Sequence, residues 1–127
     1  MLAFLKREQG AYVVANVLDA AKIGKVEVIM HKANLLEVYY DLIRTTGKDR
    51  AGVALAEIKK RSIIIIAEIT DELFAEAGRL KTSYKVSFAD TFALAQAIVS
   101  DAELLTSDHH EFDALVGKEN IRFMWIR

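Results

Sequence analysis

A chain of 127 residues with 53% hydrophobic and 28% charged side chains has enough apolar material for one domain with its own core, and too little length for two of ordinary size. Its 17 basic and 18 acidic residues nearly cancel, to a formal charge of −1, so no global field draws it to nucleic acid or anionic lipid. Cysteine is absent, which excludes a disulfide scaffold and thiolate metal sites and is compatible with the cytosol; no apolar run approaches the roughly 20 residues of a membrane helix.

The N-terminal MLAFLKREQG places its charges after its apolar stretch, the reverse of signal-peptide order. Apolar spacing predicts a short helix over residues 2–7 and a longer one over 11–22. VEVIM (26–30) is β-branched and predicts a strand; a helix over 33–45, closed by Gly47, and a second over 49–60 make a helical hairpin. SIIIIAEI, with isoleucine at 63, 64, 65 and 66, is the strongest strand. Thr70 caps a helix to about residue 84 whose first turn carries Asp71 and Glu72, acids suited to the positive end of the dipole. Ser87 opens the next helix, to about residue 100; 103–106 is a strand, 108–116 a short helix and 121–126 a last strand. Strands alternate with helices, and each strand is short and apolar enough to be covered on both faces, the pattern of an α/β fold with a mostly parallel sheet. Ligands on such sheets sit outside the C-terminal strand ends, where three acids lie: Glu37, Asp90 and Asp108.

Each acid taken alone has a packing explanation. Asp108 with Glu111 forms D-x-x-E, and Ser87 with Asp90 forms S-x-x-D; both suit helix caps, in which side chains satisfy free amides. Glu37 sits inside ANLLEVYYDLI, a helix apolar nearly all round, on a strip shared with Asp41 and Arg44 at i, i+4, i+7. A solvated stripe with an Asp41–Arg44 pair explains it equally well. His109 and His110 are adjacent and point about 100° apart on a helix, so they and the isolated His31 suit surface or capping roles better than metal binding. The basic run Lys59–Lys60–Arg61 ends a helix, where cations suit the dipole. Tyr39 and Tyr40 read as packing residues.

Taken in order, NLLEVYY, SFADTFALAQAI and LLTSDHHEF resemble the PIN-domain family, particularly the VapC-type toxin ribonucleases. In that family a glutamate sits on the helix after the second strand. An aspartate follows S-[LF]-A near the start of a later helix, and another follows the fourth strand in an L-[VLI]-T-x-D pattern. Glu37, Asp90 and Asp108 occupy these three places. The resemblance covers essentially the whole chain and implies a single PIN-like domain over residues 1–127, a three-layer α/β fold with a mostly parallel sheet. It implies a Mg²⁺- or Mn²⁺-dependent endoribonuclease, the toxin of a toxin–antitoxin pair, acting on RNA in the cytoplasm. An antitoxin and a homodimer or higher homo-oligomer are the partners it implies. Asp90 and Asp108 would be direct metal ligands, Glu37 a ligand or water-positioning base, and Thr106 and Ser107 would orient them. The chemistry is coherent: crowded carboxylates repel, hard divalent ions prefer oxygen ligands, and such an ion activates water and neutralises phosphate charge.

The family begins with a strand ending in aspartate, then a helix resembling LAFLKRE; Met1 falls inside that helix. The resemblance therefore predicts a domain lacking the N-terminal central strand and the first acid, which Asp19 does not replace. Three acids of four imply weakened metal affinity and activity. VEVIM and ELLT would carry open edges, or pair with each other or with a neighbouring chain, because unpaired buried backbone groups cost roughly 1–3 kcal/mol each. A reading from another class is a catalytically dead remnant that binds RNA or a protein. A receiver-like phosphate-handling domain would need clustered acids after a first strand or a glycine-rich phosphate loop, and the sequence has neither.

Overall fold

The computed structural model describes residues 10–126, and the predicted helix over residues 2–7 lies outside them. The chain divides into two compact units, Met1–Ile66 and Ala67–Arg127. In the first, helix α1 (Ala11–Lys22) buries Val14 and Leu18, one turn apart on a single face. Strand β1 (Val28–His31) runs parallel to β2 (Ile63–Ile66), in the register Val28↔Ile63 to His31↔Ile66. Between them lies a hairpin of α2 (Lys32–Thr46) and α3 (Lys48–Lys59). The His31 ring caps α2, its Nδ1 accepting the Ala33 amide at 3.0 Å, so the capping role predicted for a histidine is the one seen.

The hairpin forms because α2 presents Leu35, Val38 and Leu42 to Ala51 and Ile58 of α3, with Met30, Ile63 and Ile65 of the strands packed against them. Ridges at i, i+3 and i+7 make one continuous apolar stripe. Tyr39 packs onto the same cluster, while the Arg44 guanidinium lies 5.3 Å from the centre of the exposed Tyr40 ring. A single residue reverses the chain. Gly47 has φ 88 and ψ 162, a region that only glycine enters cheaply; its amide closes α2 on the Ile43 carbonyl and its carbonyl accepts the Ala51 amide of α3, both at 3.0 Å.

The second unit begins with α4 (Asp71–Ser83), capped by the Thr70 hydroxyl on the Leu73 amide. It packs on α5 (Phe88–Val99) and buries Leu73 and Leu80, and α5 is itself buried at Thr91, Phe92 and Leu94–Ala97. Strand β3 (Glu103–Thr106) is parallel to β4 (Arg122–Trp125), register Glu103↔Arg122 to Thr106↔Trp125. They are joined through α6 (His109–Phe112) and a 3₁₀ turn, Asp113–Leu115. Arg79 of α4 holds that return segment, gripping Glu119 with both terminal nitrogens at 3.1 and 2.8 Å and Glu76 at 2.8 Å.

The mixed α/β class, the parallel strand pairs and nearly all predicted elements are present. Three details differ. The helix predicted over 108–116 is broken into α6 and the 3₁₀ turn. Not every strand is covered on both faces: along β4, Arg122 and Met124 are exposed while Phe123 and Trp125 are half-buried, the two-residue alternation of a strand with one wet face. Finally, β1 and β3 are each hydrogen-bonded to one described strand, β2 and β4 respectively.

Candidate metal centre

Asp90 owes its place to the start of α5. Ser87 is extended, and its hydroxyl accepts the Asp90 amide at 3.1 Å while its carbonyl accepts the Thr91 hydroxyl at 2.8 Å. The aspartate thus stands in the first helical turn, where the dipole favours a negative charge. Burial nevertheless pushes its carboxyl above the usual carboxylate range; the hydrogen bond to Ser87 opposes that, and the neighbouring charges of Asp108 and Glu111 reinforce it. Desolvation and like charge both disfavour the ionised form.

Asp108 stands where β3 gives way to α6. The Thr106 hydroxyl accepts the Asp108 amide at 3.1 Å. One Asp108 carboxylate oxygen accepts the Glu111 amide at 3.0 Å, and its carbonyl accepts the Phe112 amide at 3.1 Å. The predicted cap at Asp108 is therefore real. The reciprocal half of a capping box, in which Glu111 would take the Asp108 amide, is replaced: Thr106 holds that amide. The Glu111 carboxylate lies instead with the other acids. Asp90, Asp108 and Glu111, all half-buried, each offer one carboxylate oxygen within 4.8 Å of the others.

Two of the three acids singled out from the sequence are thus brought together, and a third carboxylate joins them that sequence reasoning assigned only to capping. The signal for Glu111 was the threonine two residues before Asp108, an alternative acceptor for the contested amide. Thr106 orients Asp108 as expected, whereas Ser107 contributes its carbonyl, to the His109 amide at 3.1 Å. Glu37 belongs to the first unit, half-buried on α2. Three oxygen donors that repel one another, one of them pushed above the usual carboxylate range chiefly by burial, suit a hard divalent cation. The group could hold such an ion.

The PIN domain family model matches residues 1–118. The chain belongs to the PIN domain family. Among solved structures, VapBC2 from Rickettsia felis, bound to a DNA fragment from its promoter, is similar to this PIN domain with a TM-score of 0.70 and 18% identity over 96% of this chain and 89% of that one. VapBC-1 from nontypeable Haemophilus influenzae aligns with a TM-score of 0.65 and 11% identity, covering 91% of each chain. A toxin–antitoxin complex from Klebsiella pneumoniae gives 0.56 and 19% over 80% of this chain and 75% of that one. At these identities the likeness is one of fold. No curated protein matches the chain. No helix among the described residues is long and apolar enough to cross a membrane.

Proposed function

We propose that this PIN domain is a metal-dependent ribonuclease, the toxin of a toxin–antitoxin pair. The observation that carries the reading is the convergence of Asp90, Asp108 and Glu111 in a chain of this family. Asp90 and Asp108 hold the ion directly, with Glu111 beside them. Glu37 is assigned a ligand or water-positioning role on its family position alone. When bound, Mg²⁺ or Mn²⁺ lowers the pKa of a coordinated water and offsets the charge of the phosphate. The chain's own contribution is orientation. Ser87 and the first turn of α5 aim Asp90, and Thr106 pins the backbone from which Asp108 projects, so both carboxylates are set before substrate arrives.

The toxin reading gives the first unit a role. Leu35, Leu36, Tyr39 and Leu55 line a cleft of about 120 Å³ between α2 and α3, with Lys32 and Lys59 at its rim. Leu36 is 58% exposed. An amphipathic antitoxin helix with an apolar stripe and acidic flanks suits such a groove. Both units together form one PIN domain in this reading, assembled as a homodimer or higher homo-oligomer and acting in the cytoplasm.

Purified protein incubated with single-stranded RNA and Mn²⁺ tests the proposal. The expected result is cleavage that is abolished by EDTA and lost in Asp90→Asn and Asp108→Asn. RNA binding without cleavage at any Mn²⁺ concentration would instead establish a non-catalytic binding module.

A further inference from the structure

Asp108 is followed at once by His109, whose ring begins a row of stacked aromatics. The His109 centroid lies 4.0 Å from that of Trp125, with planes 14° apart. Trp125 stacks on Phe123 at 5.1 Å and 13°, and Phe123 on Phe112 at 6.0 Å and 30°. Two periodicities build the row. Phe123 and Trp125 share one face of β4 at i, i+2, and His109 and Phe112 share one face of α6 at i, i+3. Phe112 ends the row in the core, while the His109 side chain is 49% exposed at the other end. The imidazole is also held at its edge, Nδ1 lying 3.0 Å from the Asp113 carboxylate. An exposed ring fixed both by stacking and by a hydrogen bond gives up little further freedom when a flat partner lies on it.

We propose that this row is a stacking platform for a nucleobase of single-stranded RNA. It seats the nucleotide next to the phosphate addressed by Asp90, Asp108 and Glu111, and so rests on the nuclease reading. Adjacency supports it: the platform's outer ring and a carboxylate of the acid group belong to consecutive residues, Asp108 and His109, whose Cα atoms are about 3.8 Å apart. The geometry supports it too: the rings of His109, Trp125 and Phe123 lie within about 14° of parallel from one to the next, and the His109 end of the row is half-exposed. Charge points the same way. A chain of net charge −1 gains little from general phosphate attraction, and stacking supplies the sequence-tolerant remainder. Bases in a duplex have both faces covered, so the strand seated here is single.

The protein has three histidines, so ¹H–¹³C spectra of the imidazoles read the platform directly. A short oligoribonucleotide is titrated into the EDTA-treated protein, with affinity followed by anisotropy of a labelled copy. The His109 ring protons are expected to move upfield, with those of His31 and His110 unmoved, and an oligonucleotide made wholly of abasic residues should not reproduce the shift. His109→Ala is expected to weaken binding about tenfold and His109→Phe to retain it. RNA that binds with the His109 resonances unmoved, a His109→Ala variant that binds like the parent, or no binding at all would overturn the platform. Mn²⁺ affinity, measured separately by paramagnetic resonance without RNA, reports on the acid group. Its absence alongside an intact His109 shift would remove the nuclease reading and leave the platform supported.

Discussion

Glu111 and Glu119, both in the second unit, sit in opposite electrostatic settings. Glu119 has a side chain only 10% exposed and faces donors: both terminal nitrogens of Arg79, and the Tyr84 hydroxyl at 2.6 Å. The Arg79 hydrogen bond holds its carboxyl below the usual range, against the opposing effect of burial. A carboxyl with a depressed folded pKa contributes stability that is complete above its unfolded value and is lost as pH falls through the folded one. Glu119→Gln is therefore expected to lower unfolding free energy at neutral pH by up to about 1 kcal/mol, with the gap to the parent closing in acid; urea denaturation across pH measures it. Glu111 faces other acids instead, and its neutralisation relieves repulsion while replacing an anionic oxygen donor by a neutral one. Glu111→Gln should leave stability nearly unchanged but weaken Mn²⁺ binding at least tenfold, a split that calorimetric titration beside thermal melts would show. Caps at Thr70, Ser87 and Asp108 were legible in the sequence because a cap is decided within four residues. The second role of Glu111 was not, because it depends on which of two acceptors takes one amide, and that choice is made by the end of β3.

At the scale of elements, the α2–α3 hairpin shows how much rests on one backbone conformation. A Cβ at Gly47 would meet nothing within 4 Å, yet its φ of +88° is strained for any side chain. Gly47→Ala should cost about 1–3 kcal/mol through strain alone, readable by urea unfolding; an unchanged midpoint would mean that the turn relaxes. Most helices were placed from the sequence within a residue or two because apolar period and cap chemistry are local, whereas the strand read over SIIIIAEI stops at Ile66, three residues early. Strand surroundings were not legible there. The four isoleucines of β2 suggested complete cover, but Ile64 is 49% exposed, since hydropathy along a strand does not say what packs on each face. The short helix after Asp108 was seen whole from the sequence, whereas its last turn tightens into 3₁₀ geometry at Asp113–Leu115.

For the whole molecule, the family match over residues 1–118 runs through both units, and one domain is expected to unfold as one. Trp125, the single tryptophan, reports on the second unit, whereas far-ultraviolet circular dichroism reports on the helices of both. Coincident urea transitions by the two probes are expected; separated midpoints would show two independent domains. The α/β class and the order of Glu37, Asp90 and Asp108 were legible in the chain because family motifs survive as short local patterns. The meeting of Asp90 with Asp108 was expected from their shared place beyond the strand ends, whereas the presence of Glu111 beside them was not, since it joins the first turn of α6 to the start of α5 and the end of β3. The most direct measurement is Mn²⁺ binding and RNA cleavage followed together in the parent protein and in Asp108→Asn. Ion binding and cleavage that appear in the parent and disappear together in the variant are the expected result. Cleavage that persists in EDTA, or that Asp108→Asn leaves intact, would contradict a reaction built on these carboxylates.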